Sequence, residues 1–206
     1  MAILQKHAET SSPIHDIIGR RWSPRSFDSR TVEPQKLRSL FEAARWAASS
    51  YNAQPWNYIV ATKDDAENYK KILDCFIEFN QGWAKSAPVL AISVAATKFA
   101  HNGEPNHHGF HDVGQASATL ALEATNLGLQ VHQMAGIFPE RAKEIFHIPD
   151  CYEAVAGLAI GYPGDSAALP DKLREQEHAA RQRKPLASFV FTGDWGKPSP
   201  IVAAKS

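Results

Sequence analysis

The chain has 206 residues, enough for one domain with a sizeable core, and its 22 basic residues balance 22 acidic ones. That balance excludes the one-signed charge field of a nucleic-acid or anionic-membrane binder. No apolar run is long enough to span a bilayer, MAILQKHAETSSP has no signal-peptide core, and Cys75 and Cys151 lack metal or CxxC spacing, so a cytoplasmic protein in a reducing compartment is expected.

The first predicted element is a short helix over Ile14–Arg21, led by Ser11, Ser12 and Pro13. It runs into RRWSPRSF, where Arg20, Arg21 and Arg25 surround serines and a proline. Guanidinium forks beside a serine hydroxyl make a cradle for phosphate or carboxylate. A solvated basic turn has the same composition. Trp22 and Phe27 favour the cradle, because aromatic anchors hold the turn on the core and preorganise its arginines.

A second helix starts at Pro34 and carries Leu37, Leu40, Phe41, Ala44 and Ala48 at helical spacing. The strand Trp56–Ala61 follows, alternating Trp56, Tyr58 and Val60 against Asn57, Ile59 and Ala61. Between them, Ser49–Pro55 offers two hydroxyls and two amides, a set that hydrogen-bonds a neutral planar ligand or its own backbone.

One long helix is expected from Asp64/Asp65 to Phe79, broken by Asn80-Gln81-Gly82, and Pro88–Ala95 reads as a strand buried on both faces. In HNGEPNHHGFHD, His107, His108, His111 and Asp112 are candidate metal ligands, but the helical HExxH pairing is absent and a mobile loop is the alternative. Asp112-Val-Gly-Gln115 resembles a capping box opening a helix that ends at Leu127 and is closed by Gly128. Small and apolar residues on most sides of this helix require cover nearly all round, from the core or from a symmetry mate.

Gln130–Met134 is a short strand, and Ala135-Gly136 permits close backbone approach. Pro139 opens another helix, Glu153–Tyr162 is a buried strand, and Asp171–Gln182 is a charged helical stretch. A single domain over residues 1–206 is expected, with residues 1–13 a flexible N-terminus and 185–206 an aromatic-anchored arm that reaches a partner. GxGxxG, GxxxxGK[ST], GxSxG, CxxC and HExxH are absent. Arginines for an anion, with amides and hydroxyls for a planar ring, fit flavin mononucleotide (FMN) among several nucleotide-like ligands.

RRWSPRSF followed by EAARWAASSYNAQPWNYIVA resembles the nitroreductase family of FMN-dependent oxidoreductases. Similar segments follow in order: Asn80–Val89, Asp112–Ala116, Gly128-Leu129, Met134–Gly136, Ile148–Glu153, Gly161–Pro163 and Arg183–Leu186. The resemblance implies an α+β, three-layer fold with a mixed central sheet flanked by helices, and an intertwined homodimer with FMN at the interface. It implies FMN-phosphate binding by Arg21, Ser23 and Arg183, and an Arg25 at the N1/O2 edge of the ring. Ser49, Ser50 and Asn52 would line the ring from the partner, Asn80 would reach the pyrimidine edge, and the Ala135-Gly136 backbone would lie against N5. Gln54 and Trp56 would hold the loop. No protein acid or base is required. Ala48 in place of a usual proline, Trp22 in place of a common arginine and Ala135 in place of glycine or glutamate depart from the family pattern.

The implied activity is ping-pong transfer of electrons from NADH or NADPH to a nitroaromatic, quinone or flavin. Alternatives are a flavin sensor or store without turnover, a divergent member such as a reductive dehalogenase, and a metal hydrolase using His107, His108 and His111.

Overall fold

The computed structural model of the chain describes residues 4–202. Residues 1–3 of the predicted N-terminal arm and 203–206 of the C-terminal arm lie outside the described residues. Seven α-helices and four strands of a single sheet are described: α1 Asp16–Arg20, α2 Pro34–Arg45, β1 Trp56–Thr62, α3 Ala66–Asp74, α4 Glu78–Ala84, β2 Val89–Ala96, α5 Gly109–Asn126, β3 Gln130–Met134, α6 Pro139–Ile145, β4 Tyr152–Gly161 and α7 Asp171–His178.

The sheet has the order β1-β2-β4-β3. Every pairing within it is antiparallel, so the expected mixed sheet is corrected to an antiparallel one among the described residues. The direction of a pairing is decided by segments far apart in sequence, which periodicity does not report.

Side-chain alternation along β2 builds two cores. Leu90, Ile92 and Val94 pack with Ile72, Phe76 and Trp83, whereas Val89 and Ala91 pack with Leu40, Leu120 and Ala124 on the other face. Helices α2 and α5 therefore cover one face of the sheet and α3 and α4 the other, which gives three layers. Each fully buried large aliphatic side chain here contributes about 1.5–3 kcal/mol of transfer free energy.

The long helix predicted over residues 64–79 is two helices. The helix ends at its cap Cys75, and Phe76 and Ile77 leave it, because the chain at 136–138 takes their backbone: Ile77 N–H donates to Gly136 O, Phe138 N–H donates to Cys75 O, and Phe76 bridges Ile137. Asn80, Gln81 and Gly82 lie inside α4 rather than breaking it. Asp112 is likewise not a cap. Helix α5 begins at Gly109, and the Asp112 side chain turns to the loop after α2, accepting from Ser50 N–H. The cover expected around α5 is incomplete within one chain, because Phe110, Gly114 and Ala118 are exposed.

Candidate functional site

The basic turn is seated by its aromatics. Trp22 and Phe27 are 7% and 6% exposed. Trp22 N–H donates to Gln130 Oε1, and the Glu177 carboxylate accepts Arg25 N–H at 2.9 Å and Ser26 N–H at 3.2 Å. Lys6 Nζ donates to the Glu177 and Ala179 carbonyls, and Arg181 donates to the Lys6 and Gly19 carbonyls. Residues 6 and 177–181 thereby strap the turn from outside.

On this scaffold the cations converge. Arg21 Nη1 lies 3.3 Å from Ser23 Oγ. Burial first, and then repulsion from Arg181 and Arg183, hold the Arg21 guanidinium below its ordinary pKa. Among the described residues, none of Arg21, Arg25, Arg181 and Arg183 forms an ion pair with a carboxylate. Arg25 Nε is buried with no hydrogen-bond partner, a costly arrangement for a charged donor unless a ligand accepts from it. An anion with several acceptor oxygens, such as a phosphate monoester, matches this donor set.

A second group lies beside the turn. His132 Nδ1 is 2.9 Å from Pro24 O, and its ring centroid is 4.5 Å from that of Trp83. Burial, opposed only in part by the nearby carbonyls, lowers the His132 pKa to about 4, so the ring is neutral near pH 7. Trp83 Nε1–H donates to Asn80 Oδ1 at 3.3 Å, and Asn80 Nδ2–H donates to Gly136 O at 3.0 Å. A Cβ on Gly136 would meet Asn80 Nδ2 at 2.5 Å and Ile77 Cδ1 at 2.7 Å, so the close approach expected there is to protein atoms. Ala135 is exposed, with its carbonyl accepting from Ile137 N–H.

The third group, Ser49, Ser50 and Asn52, is elsewhere in the chain. Ser49 Oγ accepts from Gln54 N–H, Asn52 O accepts from Gln54 Nε2–H, and Ser50 N–H is held by Asp112. Tyr51, Asn52 and Gln54 all have left-handed backbone, with φ of 52°, 52° and 48°. For Tyr51 and Gln54 this stores on the order of 1 kcal/mol or more each, a strain that collects at ligand clamps.

This loop sits at the N-terminal end of α5, through Asp112. The basic turn sits at the C-terminal end, where Arg20 Nη1 reaches Thr125 O. Thirteen residues separate those contacts, about 20 Å along the helix axis. One chain thus brings together Arg21, Ser23, Arg25 and Arg183, joins them through His132 and Trp83 to Asn80 and Gly136, and holds Ser49, Ser50 and Asn52 apart.

His132, Glu177, Lys6, Arg181 and Asp112 were not singled out from sequence as parts of such a site. Asp112 appeared only as a cap, as a metal ligand and in a segment similar to the family, with no role at the site. The remaining four carry no motif, since their roles come from long-range contacts. Among the described residues no cluster of His, Cys, Asp or Glu is arranged to hold a metal, and His107, His108 and His111 are exposed around the start of α5. Nor is any described helix long and apolar enough to cross a membrane.

The family model described as "Nitroreductase family" matches residues 18–82 and 76–162. The "Major NAD(P)H-flavin oxidoreductase" of Aliivibrio fischeri is 31% identical over 206 residues, covering 76% of this chain and 92% of that protein. An uncharacterized 15.4 kDa protein of Mycolicibacterium smegmatis is 39% identical over 87 residues, or 42% of this chain and 58% of its own length. A crystal structure described as an oxidoreductase containing FMN superposes with a TM-score of 0.86 at 37% identity, covering 91% of this chain and 95% of that one.

Proposed function

Since the chain belongs to the nitroreductase family, we propose that it is an FMN-dependent oxidoreductase that passes electrons from NADH or NADPH to a small acceptor of nitroaromatic, quinone or flavin type. The observation that carries this reading is the buried, unpartnered Arg25 Nε within a cluster of arginines whose guanidiniums form no ion pair with a carboxylate among the described residues. Such a cluster fits the phosphate and acceptor-rich ring edge of FMN. When bound, FMN supplies a two-electron carrier that takes a hydride and returns it in a ping-pong cycle.

In this reading Arg21, Ser23 and Arg183 hold the phosphate, and the Arg25 guanidinium stabilises negative charge at the ring edge. The Ala135-Gly136 backbone lies against the ring, while Asn80 orients it by holding Gly136 O. Ser49, Ser50 and Asn52 complete the site from a second copy. The loop and Arg20, which opens the basic turn, attach to α5 about 20 Å apart along its axis, which supports a site completed by a second copy. The exposed α5 stripe of Phe110, Gly114 and Ala118 is the face on which the copies pack, and the arm from residue 185, with Phe189 and Trp195 exposed, reaches across the partner.

The test is the visible spectrum of the purified protein, reconstituted with FMN where needed, before and after anaerobic NADH and then NADPH. Loss of the flavin bands is expected. Bound flavin that neither nucleotide bleaches overturns the reductase in favour of a flavin sensor or store.

A further inference from the structure

The ring of His132 stands between the two parts of the site that a single chain assembles. On one side its Nδ1 meets Pro24 O at 2.9 Å, inside the Arg21–Arg25 turn. On the other it packs against Trp83, which is 2% exposed, with centroids 4.5 Å apart and planes inclined at 40°. From Trp83 the contacts run on through Asn80 Oδ1 to Gly136 O, which also accepts Ile77 N–H at 3.1 Å. A continuous path of buried and half-buried groups therefore joins the arginine turn to the Ala135-Gly136 backbone.

We infer that His132 is a positioning residue which, as the neutral Nδ1–H tautomer donating to Pro24 O, fixes the arginine turn relative to the Gly136 loop and so sets the span of the FMN site. The inference rests on the flavin reading above.

The chemistry follows from the partner. A carbonyl oxygen only accepts, so Nδ1 must carry the proton, and in the neutral ring Nε2 then keeps its lone pair. The ring of Pro24 restricts its φ and so removes one freedom from the chain between Ser23 and Arg25, and one hydrogen bond to its carbonyl helps to orient both neighbours. The groups that face the ring are the Ser23 and Pro24 carbonyls and the Arg21 and Arg25 guanidiniums on the turn, and Trp83 on α4. Two neighbouring cations disfavour a charged imidazole, and the stack on Trp83 excludes water from one face. A neutral donor is the form this place selects.

Two substitutions separate the hydrogen bond from the ring. Asparagine places its amide nitrogen near the position of Nδ1 and retains the donor, whereas phenylalanine retains the stack and removes the donor. FMN affinity of the apo-protein is measured by quenching of flavin fluorescence, with circular dichroism as the check on folding. His132→Phe is expected to weaken FMN binding about tenfold or more, with His132→Asn within about threefold of the unsubstituted protein. The ¹⁵N chemical shifts of the His132 ring in the unsubstituted protein should report a proton on Nδ1.

Unchanged FMN affinity in H132F, or equal losses in H132F and H132N, overturns the role, and so does a proton found on Nε2. A proton on Nε2 overturns the role even where a variant does not fold. An unsubstituted chain that takes up no FMN overturns the flavin reading and this role together, whereas normal uptake with an indifferent H132F overturns this role alone.

Discussion

The Asp112 carboxylate accepts the backbone N–H of Ser50 at 3.0 Å and ties the loop after α2 to the first turn of α5. Asp112 is only 3% exposed, and Gln115 Nε2 is its other donor at 3.3 Å. The loop it holds contains three consecutive or near-consecutive left-handed residues, Tyr51, Asn52 and Gln54. Asp112→Ala leaves a half-buried N–H without its acceptor and should cost about 1–3 kcal/mol of stability. FMN affinity should fall at least tenfold, while Asp112→Asn, whose amide oxygen still accepts, loses less. Thermal melts and FMN titrations of both variants check this, and an alanine variant with normal FMN affinity would refute the anchoring role.

Arg25→Ala removes the guanidinium whose Nε is buried without a partner. Its expected loss in the rate of flavin reduction by NADH is about tenfold to a hundredfold, several times larger than the loss in FMN affinity. Stopped-flow reduction and an FMN titration provide the two numbers. Equal losses would mean that Arg25 binds FMN without assisting hydride acceptance.

Gly136→Ala places a methyl group 2.5 Å from Asn80 Nδ2 and 2.7 Å from Ile77 Cδ1. The Asn80 amide is tethered to both Trp83 Nε1–H and Gly136 O, so the clash with it displaces structure rather than a loose side chain. The expected cost is about 1–3 kcal/mol, or several degrees in Tm for a chain of this length. A melt indistinguishable from the unsubstituted protein contradicts the tight approach.

Gly114 and Ala118 lie on the open side of α5. Charged substitutions there, Gly114→Glu with Ala118→Arg, should yield a monomer by analytical ultracentrifugation that no longer retains FMN. A folded monomer that keeps full FMN affinity overturns the shared site.

His132 also sets a pH dependence. Folding lowers its pKa from the ordinary 6.5 to about 4, so as pH falls the unfolded chain takes up the proton first. Stability is therefore fully present above pH 6.5 and is lost progressively as pH falls towards 4. This one group accounts for on the order of 3 kcal/mol at the bottom of that window. Denaturant unfolding of the apo-protein across the window should show a steeper loss than the same series on H132F. Parallel curves would place the loss on other groups.

Much of the framework was legible in the residues themselves. The apolar run at Pro88–Ala95 announced the strand Val89–Ala96, buried on both faces, and Trp22 and Phe27 announced that the arginine turn is anchored. The break at Cys75–Ile77 was not legible, because helical periodicity continues through Phe76 and only the backbone of residues 136–138 competes for it. Glu177 looked like one charge among many on a polar helix, yet it is 2% exposed and holds the arginine turn from a distance of 151 residues in sequence. The antiparallel pairing of the sheet was equally invisible, since alternation reveals faces and not partners.

By itself the sequence determined which segments bury, where the cations gather and which loop offers uncharged hydrogen-bonding groups, because each is a property of neighbouring residues. Only the tertiary structure decided that Arg20, where the basic turn opens, and the Ser49–Asn52 loop attach to α5 thirteen residues apart, about 20 Å along its axis. That separation comes from a rigid helix packed against the sheet, whose length is local but whose neighbours at each end are chosen by the fold.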